Sequence, residues 1–298
     1  MDNSIQQLYR QTIQALNNAD VEDSSIVAIF IIEHVFSQKY VVLLSKSTLV
    51  DKKRHREVLS VVDQFISGIP LAYIFNEATF RNNQYYVSEG VLIPRPETEE
   101  MVDYLIKIIQ QLLSYQVSLS VIELGLGSGV ISLELAQEFP DLFFSGWDIS
   151  EAAILASTRN KENFNIENLA IYFGNFFNSC DDYPSNELVL MVSNPPYVSE
   201  SEYESLDRYV LKEPKEALVT GDDGLEIIIR SIQLSIERSM IYIAEIGFAQ
   251  SGDIQQRFPT VSMVFLTDLS GRDRFIVYIP ESYSWVVDFR RFLLQLNK

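Results

Sequence analysis

Four consecutive residues, Asn194-Pro195-Pro196-Tyr197, are the part of this 298-residue chain whose types and spacing most clearly imply chemistry. Two prolines in a row cannot continue a strand ladder, and they hold Asn194 and Pro195 extended, so the chain is stiff where the apolar run 188–192 ends. Asn194 offers a side-chain oxygen and Pro195 a backbone oxygen, two acceptors suited to the two N–H bonds of one planar NH₂ group. Tyr197 supplies a flat face on which such a group can stack. An amide or aromatic NH₂ is a weak nucleophile because its lone pair is delocalised. Accepting both hydrogens draws electron density back to nitrogen and aims the lone pair at an electrophile. The bland alternative is a proline-bounded loop.

A second cluster, Gly125-Leu126-Gly127-Ser128-Gly129, follows Glu123-Leu124 and precedes a helical stretch, 131–139. Glycines there let the backbone turn sharply and a ligand lie against it. The spacing Gly-x-Gly-x-Gly, with Val130 after the last glycine, departs from the Gly-x-Gly-x-x-Gly dinucleotide fingerprint. About 20 residues later Asp148 closes the next predicted strand, where a carboxylate can accept both hydroxyls of a ribose. Taken alone Asp148 reads as a helix cap before Ser150 and Glu151. Taken together, the two features imply an adenosine-containing cofactor.

These groups need a scaffold. From Thr98 onward helical stretches alternate with short strand-like runs at 121–124, 142–147, 169–173, 188–192, 240–246, 261–266 and 275–279. The alternation predicts an α/β fold with a mostly parallel sheet, helices on both faces and the ligand at the carboxyl ends of the strands. The last two runs are joined too tightly for a helix and should pair antiparallel. Residues 284–298 read as an extra helix. Before the α/β region, residues 1–75 read as a small helical bundle, with Ile5, Leu8, Tyr9, Ile13 and Leu16 on one stripe and Val58, Val61, Val62, Phe65 and Ile66 on another. Asp20 and Asp23 are expected to cap the helix they precede, and Gly68-Ile69-Pro70 to stop the last helix. Residues 76–95, with turn signals at Asn82-Asn83 and Glu89-Gly90, read as a β-hairpin linker, leaving 96–298 as the cofactor-binding domain.

Composition narrows the classes. The chain is 47% apolar, and its longest apolar run has seven residues (26–32), against about 20 for a membrane span, so no membrane association is expected. The first ten residues have neither a basic nor an apolar signal region, and cytoplasm is the expected address. Two histidines, His34 and His55, and one cysteine, Cys180, leave no His/Cys metal set, and Cys180 beside Asp181 and Asp182 has no evident activator. The net charge is −18. Residues 1–75 hold seven basic and eight acidic side chains, so 76–298 hold 16 basic and 33 acidic, a net −17. Such a segment repels nucleic-acid phosphates, and no direct nucleic-acid partner is expected.

The tetrapeptide after a fourth strand and the glycine cluster after a first resemble S-adenosylmethionine-dependent methyltransferases acting on planar nitrogen. More narrowly the chain resembles the release-factor glutamine methyltransferases, the HemK-like group. That resemblance rests on Gly68-Ile-Pro-Leu-Ala-Tyr-Ile74, Gly90-Val-Leu-Ile-Pro-Arg-Pro-Glu-Thr-Glu99, Ser193 to Tyr197, Glu213-Pro214, Ala217-Leu218, Gly221-Asp-Asp-Gly-Leu225, Asp268, Gly271 and Asp273-Arg274, collinear from about residue 68 to 275. It implies a Rossmann-like methyltransferase domain behind a helical substrate-recognition domain, S-adenosylmethionine as methyl donor, and the glutamine of the Gly-Gly-Gln loop of peptide-chain release factors as acceptor. It places Gly125, Leu126, Gly127, Ser128 and Gly129 on the methionine part of the cofactor, Asp148 on its ribose and Phe176 on its adenine. Asn194 lies near both ligands, and Asn194, Pro195, Pro196 and Tyr197 take the target glutamine. Arg95 to Glu97 either help close the pocket or form the N-cap region of the helix that follows.

The expected reaction is a direct in-line displacement, without a metal or a covalent enzyme intermediate, by a chain acting as a monomer on a folded protein. Leu126, Asn175, Asn76 and Arg238-Ser239 depart from the residues usual in the family, and none of them touches the tetrapeptide. Two rival readings stay open. One is an N6-adenine methyltransferase, whose amino group poses the same chemical problem. The other is a non-catalytic S-adenosylmethionine-binding regulator.

Overall fold

A computed structural model describes residues 4–178 and 187–297. Cys180 and its acidic neighbours lie outside the described residues. The chain divides into two compact units, the first comprising 1–75 with 208–212 and the second 76–207 with 213–298.

The first unit is helical: α1 (Ile5–Asn18), α2 (Ser24–Phe36), α3 (Tyr40–Ser45), α4 (Lys52–Ile66) and α5 (Leu71–Phe75). Ile5, Leu8 and Leu16 of α1 meet Ala28, Ile31 and Ile32 of α2 and Val58, Val62 and Phe65 of α4 in one buried cluster. Phe65 also stacks on Tyr209 at 4.5 Å, which ties the segment 208–212 to this unit. Ser4 caps α1 through Gln7 N–H, and Asp51 caps α4 through the N–H groups of Lys53 and Arg54. Two local expectations are corrected. Asp23 occupies the N-cap position of α2, but its backbone is left-handed (φ 49°) and its side chain makes no capping bond, so the Asp20/Asp23 capping does not form. The Ser24 hydroxyl instead donates to the Val21 carbonyl at 2.6 Å. Gly68 (φ 99°) does end α4, yet that is not the last helix, because α5 follows at once, the Pro70 carbonyl accepting the N–H groups of Tyr73 and Ile74 in its first turn.

The second unit begins with a hairpin, β1 (Glu77–Phe80) and β2 (Asn83–Tyr86), paired antiparallel around a turn in which Arg81 is left-handed. Then come α6 (Pro96–Ser114), β3 (Leu119–Leu124), α7 (Val130–Glu138), β4 (Phe143–Asp148), α8 (Glu151–Asn163), β5 (Leu169–Phe173), β6 (Leu188–Ser193), α9 (Glu200–Tyr203), α10 (Glu226–Arg238), β7 (Ile241–Glu245), α11 (Ser251–Arg257), β8 (Met263–Thr267), β9 (Asp273–Tyr278) and α12 (Val286–Leu296). The seven larger strands lie in the order β5-β4-β3-β6-β7-β9-β8. The first five are parallel, while β9 runs antiparallel to β7 and to β8, as the short 266–275 connection predicts.

Alternate residues of each central strand feed opposite faces. Val121, Leu190, Val192 and Ile243 pack under α6, α7 and α12, whereas Ile122, Leu124, Val189, Met191, Tyr242 and Ala244 pack under α10 and α11. Burial on both faces is why 188–192 reads as an unbroken apolar run. The final helix has a packing role: Val286, Phe289 and Leu293 enter the first of these layers, and Trp285 stacks on Tyr115 at 5.1 Å.

Because β4 lies on one side of β3 and β6 on the other, the strand order reverses at β3. A parallel sheet opens its ligand crevice at the carboxyl ends of the strands flanking such a reversal. Leu124 pairs with Ser193 at that end, so both motifs leave the sheet side by side. The Ser193 hydroxyl donates to the Leu124 carbonyl at 2.8 Å and pins the two strand ends together.

Candidate active site

Gly125, Gly127 and Gly129 all have positive φ (74°, 56° and 83°), which non-glycine residues resist. A Cβ built on Gly125 or Gly127 would meet no atom within 4 Å, so the outer side of this turn is an open cradle. The Gly125 and Leu126 N–H groups donate to the Trp147 carbonyl at 2.9 and 3.1 Å. The buried Ser128 offers its carbonyl to Asn160 Nδ2, which also bonds Tyr86 and so secures the loop to the hairpin. Leu126 turns inward and is 2% exposed.

Two acids stand at strand ends beside the cradle. Asp148 accepts the Gly127 N–H on Oδ2 and the Ser150 N–H on Oδ1, each at 2.8 Å. Burial raises its pKa, and the backbone N–H donors of Gly127, Ser150 and Ile149 oppose that rise. Ser150, not Asp148, caps α8. Three backbone donors do not fill the roughly four lone-pair sites of the Asp148 carboxylate, so a ribose hydroxyl can still be accepted. Glu123 is fully buried beneath the loop, takes the Ser132 N–H at 2.9 Å and the Ser132 hydroxyl, and is pushed up to about 8 by desolvation.

Phe176 is 3% exposed and meets Trp147 edge-on at 5.7 Å, which makes it a wall of the site with little free ring face. Ile149, directly after Asp148, is 64% exposed and is the more accessible apolar surface. The sequence reading did not single it out, although an aliphatic residue following the strand-closing acid is a usable signal.

The tetrapeptide is clamped from several sides. Asn194 Nδ2 donates to Thr98 Oγ1 at 2.9 Å, Thr98 donates to Glu245 Oε2 at 3.0 Å, and the Tyr197 hydroxyl donates to Glu245 Oε1 at 3.1 Å. Pro195 is buried, and Asn194, Pro196 and Tyr197 are half-buried. The Tyr197 carbonyl accepts Gln250 Nε2 at 3.0 Å, and Gly224 packs so closely on that carbonyl that a Cβ there would collide with it. Just beyond, Val198 exchanges backbone bonds with Leu218 and Thr220. Arg95 sits at the N-cap position of α6 with no capping bond, and its guanidinium instead pairs with buried Glu213 at 2.5 Å. Asp268 accepts the N–H groups of Ser270 and Arg272, and Arg274 reaches Asp268 Oδ2 at 3.4 Å. His34 stacks on Phe75 and His55 meets Gln11, both in the helical unit.

The structure therefore brings Gly125 to Gly129, Asp148, Phe176 and Asn194 to Tyr197 to one end of the sheet. Thr98 and Glu245 were missed as members of the site. Glu245 had a visible signal, being a lone acid at the end of the apolar stretch 240–246.

Residues 98–241, which contain both motifs, match the family described as Methyltransferase small domain. A release factor glutamine methyltransferase of Nitratidesulfovibrio vulgaris is 32% identical over 284 residues, covering 92% of this chain and 94% of that protein. This chain belongs to the release factor glutamine methyltransferase family. The enzyme of that name from Bacillus subtilis is 33% identical over 75% of this chain and 78% of its own length. Among solved structures, the catalytic domain of hMettl16 in complex with MAT2A 3′UTR hairpin 1 has the same fold, with a TM-score of 0.52 at 13% identity, covering 80% of this chain and 85% of that one. Membership in the release factor glutamine methyltransferase family makes S-adenosylmethionine the methyl donor, and the open glycine cradle with the Asp148 carboxylate beside it fits that molecule.

Proposed function

We propose that this chain methylates the side-chain amide nitrogen of the glutamine in the Gly-Gly-Gln loop of peptide-chain release factors. The observation that carries the reading is the bond from Asn194 Nδ2 to Thr98, which turns the Asn194 amide so that Oδ1 remains as its acceptor, on a strand end paired with the one that leads into the glycine cradle. Asn194 Oδ1 and the Pro195 carbonyl accept the two hydrogens of the target NH₂, and the Tyr197 ring covers its flat face. Gly125 to Gly129 hold the methionine part of the donor, Asp148 the ribose, and Phe176 with Ile149 the adenine.

S-adenosylmethionine supplies, when bound, a methyl group on a positively charged sulfur. The task of the protein residues is orientation and polarisation. By accepting both N–H bonds, Asn194 and Pro195 localise the lone pair on nitrogen and direct it at that carbon. The N–C bond forms as the S–C bond breaks. The nitrogen becomes acidic only as the methyl arrives, so its proton can pass to water without a strong base in place beforehand.

A glutamine presented on a loop has to enter this cleft from a folded partner. The helical unit, residues 1–75, is suited to holding the rest of that partner, so its loss should affect methylation of the intact protein more than that of a short Gly-Gly-Gln peptide. The primary test offers purified release factors, DNA and RNA in parallel, with Asn194→Ala as control. One added methyl on the Gly-Gly-Gln glutamine, abolished in the variant, supports the reading. Label only in nucleic acid moves the chain to adenine, and cofactor binding without transfer moves it to a regulator.

A further inference from the structure

We propose that Glu245 and Thr98 are positioning residues: a carboxylate at Glu245 fixes the hydrogen-bond direction through the Thr98 hydroxyl and so selects the orientation of the Asn194 amide that presents its oxygen to the target. The inference rests on the reading of Asn194 as an acceptor for the target NH₂.

An ionised carboxylate only accepts, a hydroxyl donates one hydrogen and accepts others, and a primary amide donates at nitrogen and accepts at oxygen. Glu245 is completely buried and takes hydroxyl hydrogens from Thr98 on one oxygen and Tyr197 on the other. With its one hydrogen spent on Glu245, Thr98 Oγ1 can only accept from Asn194, which obliges Nδ2 to face it at 2.9 Å. Oδ1 is thereby placed on the opposite side of the amide.

Protonation of Glu245 removes the constraint. The acid can then donate to Thr98, the Thr98 hydrogen is free to reach an amide oxygen, and the flipped Asn194 is equally well satisfied. A flipped amide would point its own NH₂ at the NH₂ of the target, two donors face to face. Thr98 is 2% exposed, so no bulk water competes to satisfy the relay by another route.

The surroundings of Glu245 put this switch within reach of ordinary pH. Burial drives its pKa upward, the Thr98 and Tyr197 hydroxyls and the Arg274 guanidinium on β9 pull it down, and Glu97 on α6 pushes it up again, leaving it at about 7. Arg95 acts on the neighbouring Tyr197, whose pKa it lowers. Methyl transfer should therefore increase as pH rises through Glu245's titration, because the carboxylate is the form that holds Asn194 correctly.

The test follows the Asn194 side-chain amide of the ¹⁵N-labelled full chain, identified by its loss in Asn194→Asp, across the pH range in the wild type and in Thr98→Ser, Thr98→Val and Glu245→Gln. Methylation kinetics are measured on the same proteins. The expected result is one titration midpoint at the amide, shared by kcat, in the wild type and Thr98→Ser. Thr98→Val and Glu245→Gln should both give a flat amide signal, and Thr98→Val a kcat lower by about tenfold, one hydrogen bond's worth, with KM for S-adenosylmethionine unchanged. An amide that ignores pH in the wild type, or Thr98→Val matching wild-type kinetics, overturns the proposal. Should Thr98→Val not fold, Glu245→Gln decides through the amide signal: a titration that persists without the Glu245 carboxyl overturns the proposal. A wild type that labels no release factor defeats the functional reading, while the amide titration still decides the relay.

Discussion

Leu126 occupies the space in front of Gly146: a Cβ built on Gly146 would lie 2.5 Å from Leu126 Cδ1 and 2.9 Å from Cδ2. The residue that departs from the family's usual small or hydroxyl side chain between the first two glycines is thus accommodated by an empty position on the neighbouring strand. Gly146 lies mid-strand in β4 and pairs with Glu123, so its need for glycine is steric and comes from the loop above it. Gly146→Ala should push Leu126 outward, destabilise the fold by about 1–3 kcal/mol as overpacking does, and weaken S-adenosylmethionine binding. Adding Leu126→Ala should recover much of both. Urea unfolding and calorimetric titration of the single and double variants measure this, and a double variant no better than Gly146→Ala would show that the two residues are not coupled.

Gly224 is constrained differently, by backbone. Its φ is 71°, and a Cβ there would run into the Tyr197 carbonyl, which cannot retreat because Gln250 Nε2 holds it. Gly224→Ala should shift the end of the tetrapeptide and lower kcat by about 10–100-fold, the scale of loss that misplacing a positioned group produces. Cofactor affinity should change little, since the glycine cradle lies on another strand. Equal losses in kcat and in S-adenosylmethionine affinity would mean that the segment acts on the whole cleft.

The sheet, its antiparallel edge and the hairpin were legible because they rest on alternation of apolar runs and on two turn signals, both local properties of the chain. The glycine cradle and the tetrapeptide were legible because their residue types are unusual where strands end. What joins them was not. Thr98 reads as an ordinary first-turn helix residue until α6 places it between Asn194 and Glu245, 96 and 147 positions away in the chain. Asp23 misled because its type suits a cap and only its left-handed backbone forbids one.

The other family departures have backbone explanations. Asn76 (φ 54°) and Ser239 (φ 56°) stand where glycine is usual and still adopt the left-handed conformation that glycine would take. Asn tolerates that region better than Ser does. Ser239→Gly should therefore stabilise the protein by roughly 0.5–1 kcal/mol, and Asn76→Gly by less. Asn175 accepts the Phe177 N–H on Oδ1 at 3.0 Å, a local bond that an aspartate oxygen could equally accept. Denaturant midpoints of the two glycine variants test the ranking, and a Ser239→Gly protein less stable than wild type would contradict it.

Glu123 yields a prediction in pH alone. Desolvation beneath the loop pushes its carboxyl up to about 8 in the folded protein, from an ordinary value of 4.5, opposed by the Ser132 hydroxyl and N–H and reinforced by Asp148. Between those two values the folded protein retains a proton that the unfolded chain has released. Raising pH through that window therefore removes stability, by up to about 1.4 kcal/mol per pH unit from this one group, and the loss levels off above the folded pKa. Glu123→Gln keeps an oxygen to accept from Ser132 and has nothing to titrate, so the stability difference, variant minus wild type, should widen from about pH 5 to about pH 8 and then stay constant. Urea unfolding of both proteins at several pH values reads it directly. A difference independent of pH would mean that Glu123 is ionised in the folded protein throughout, with the positive ends of the loop dipoles outweighing its burial.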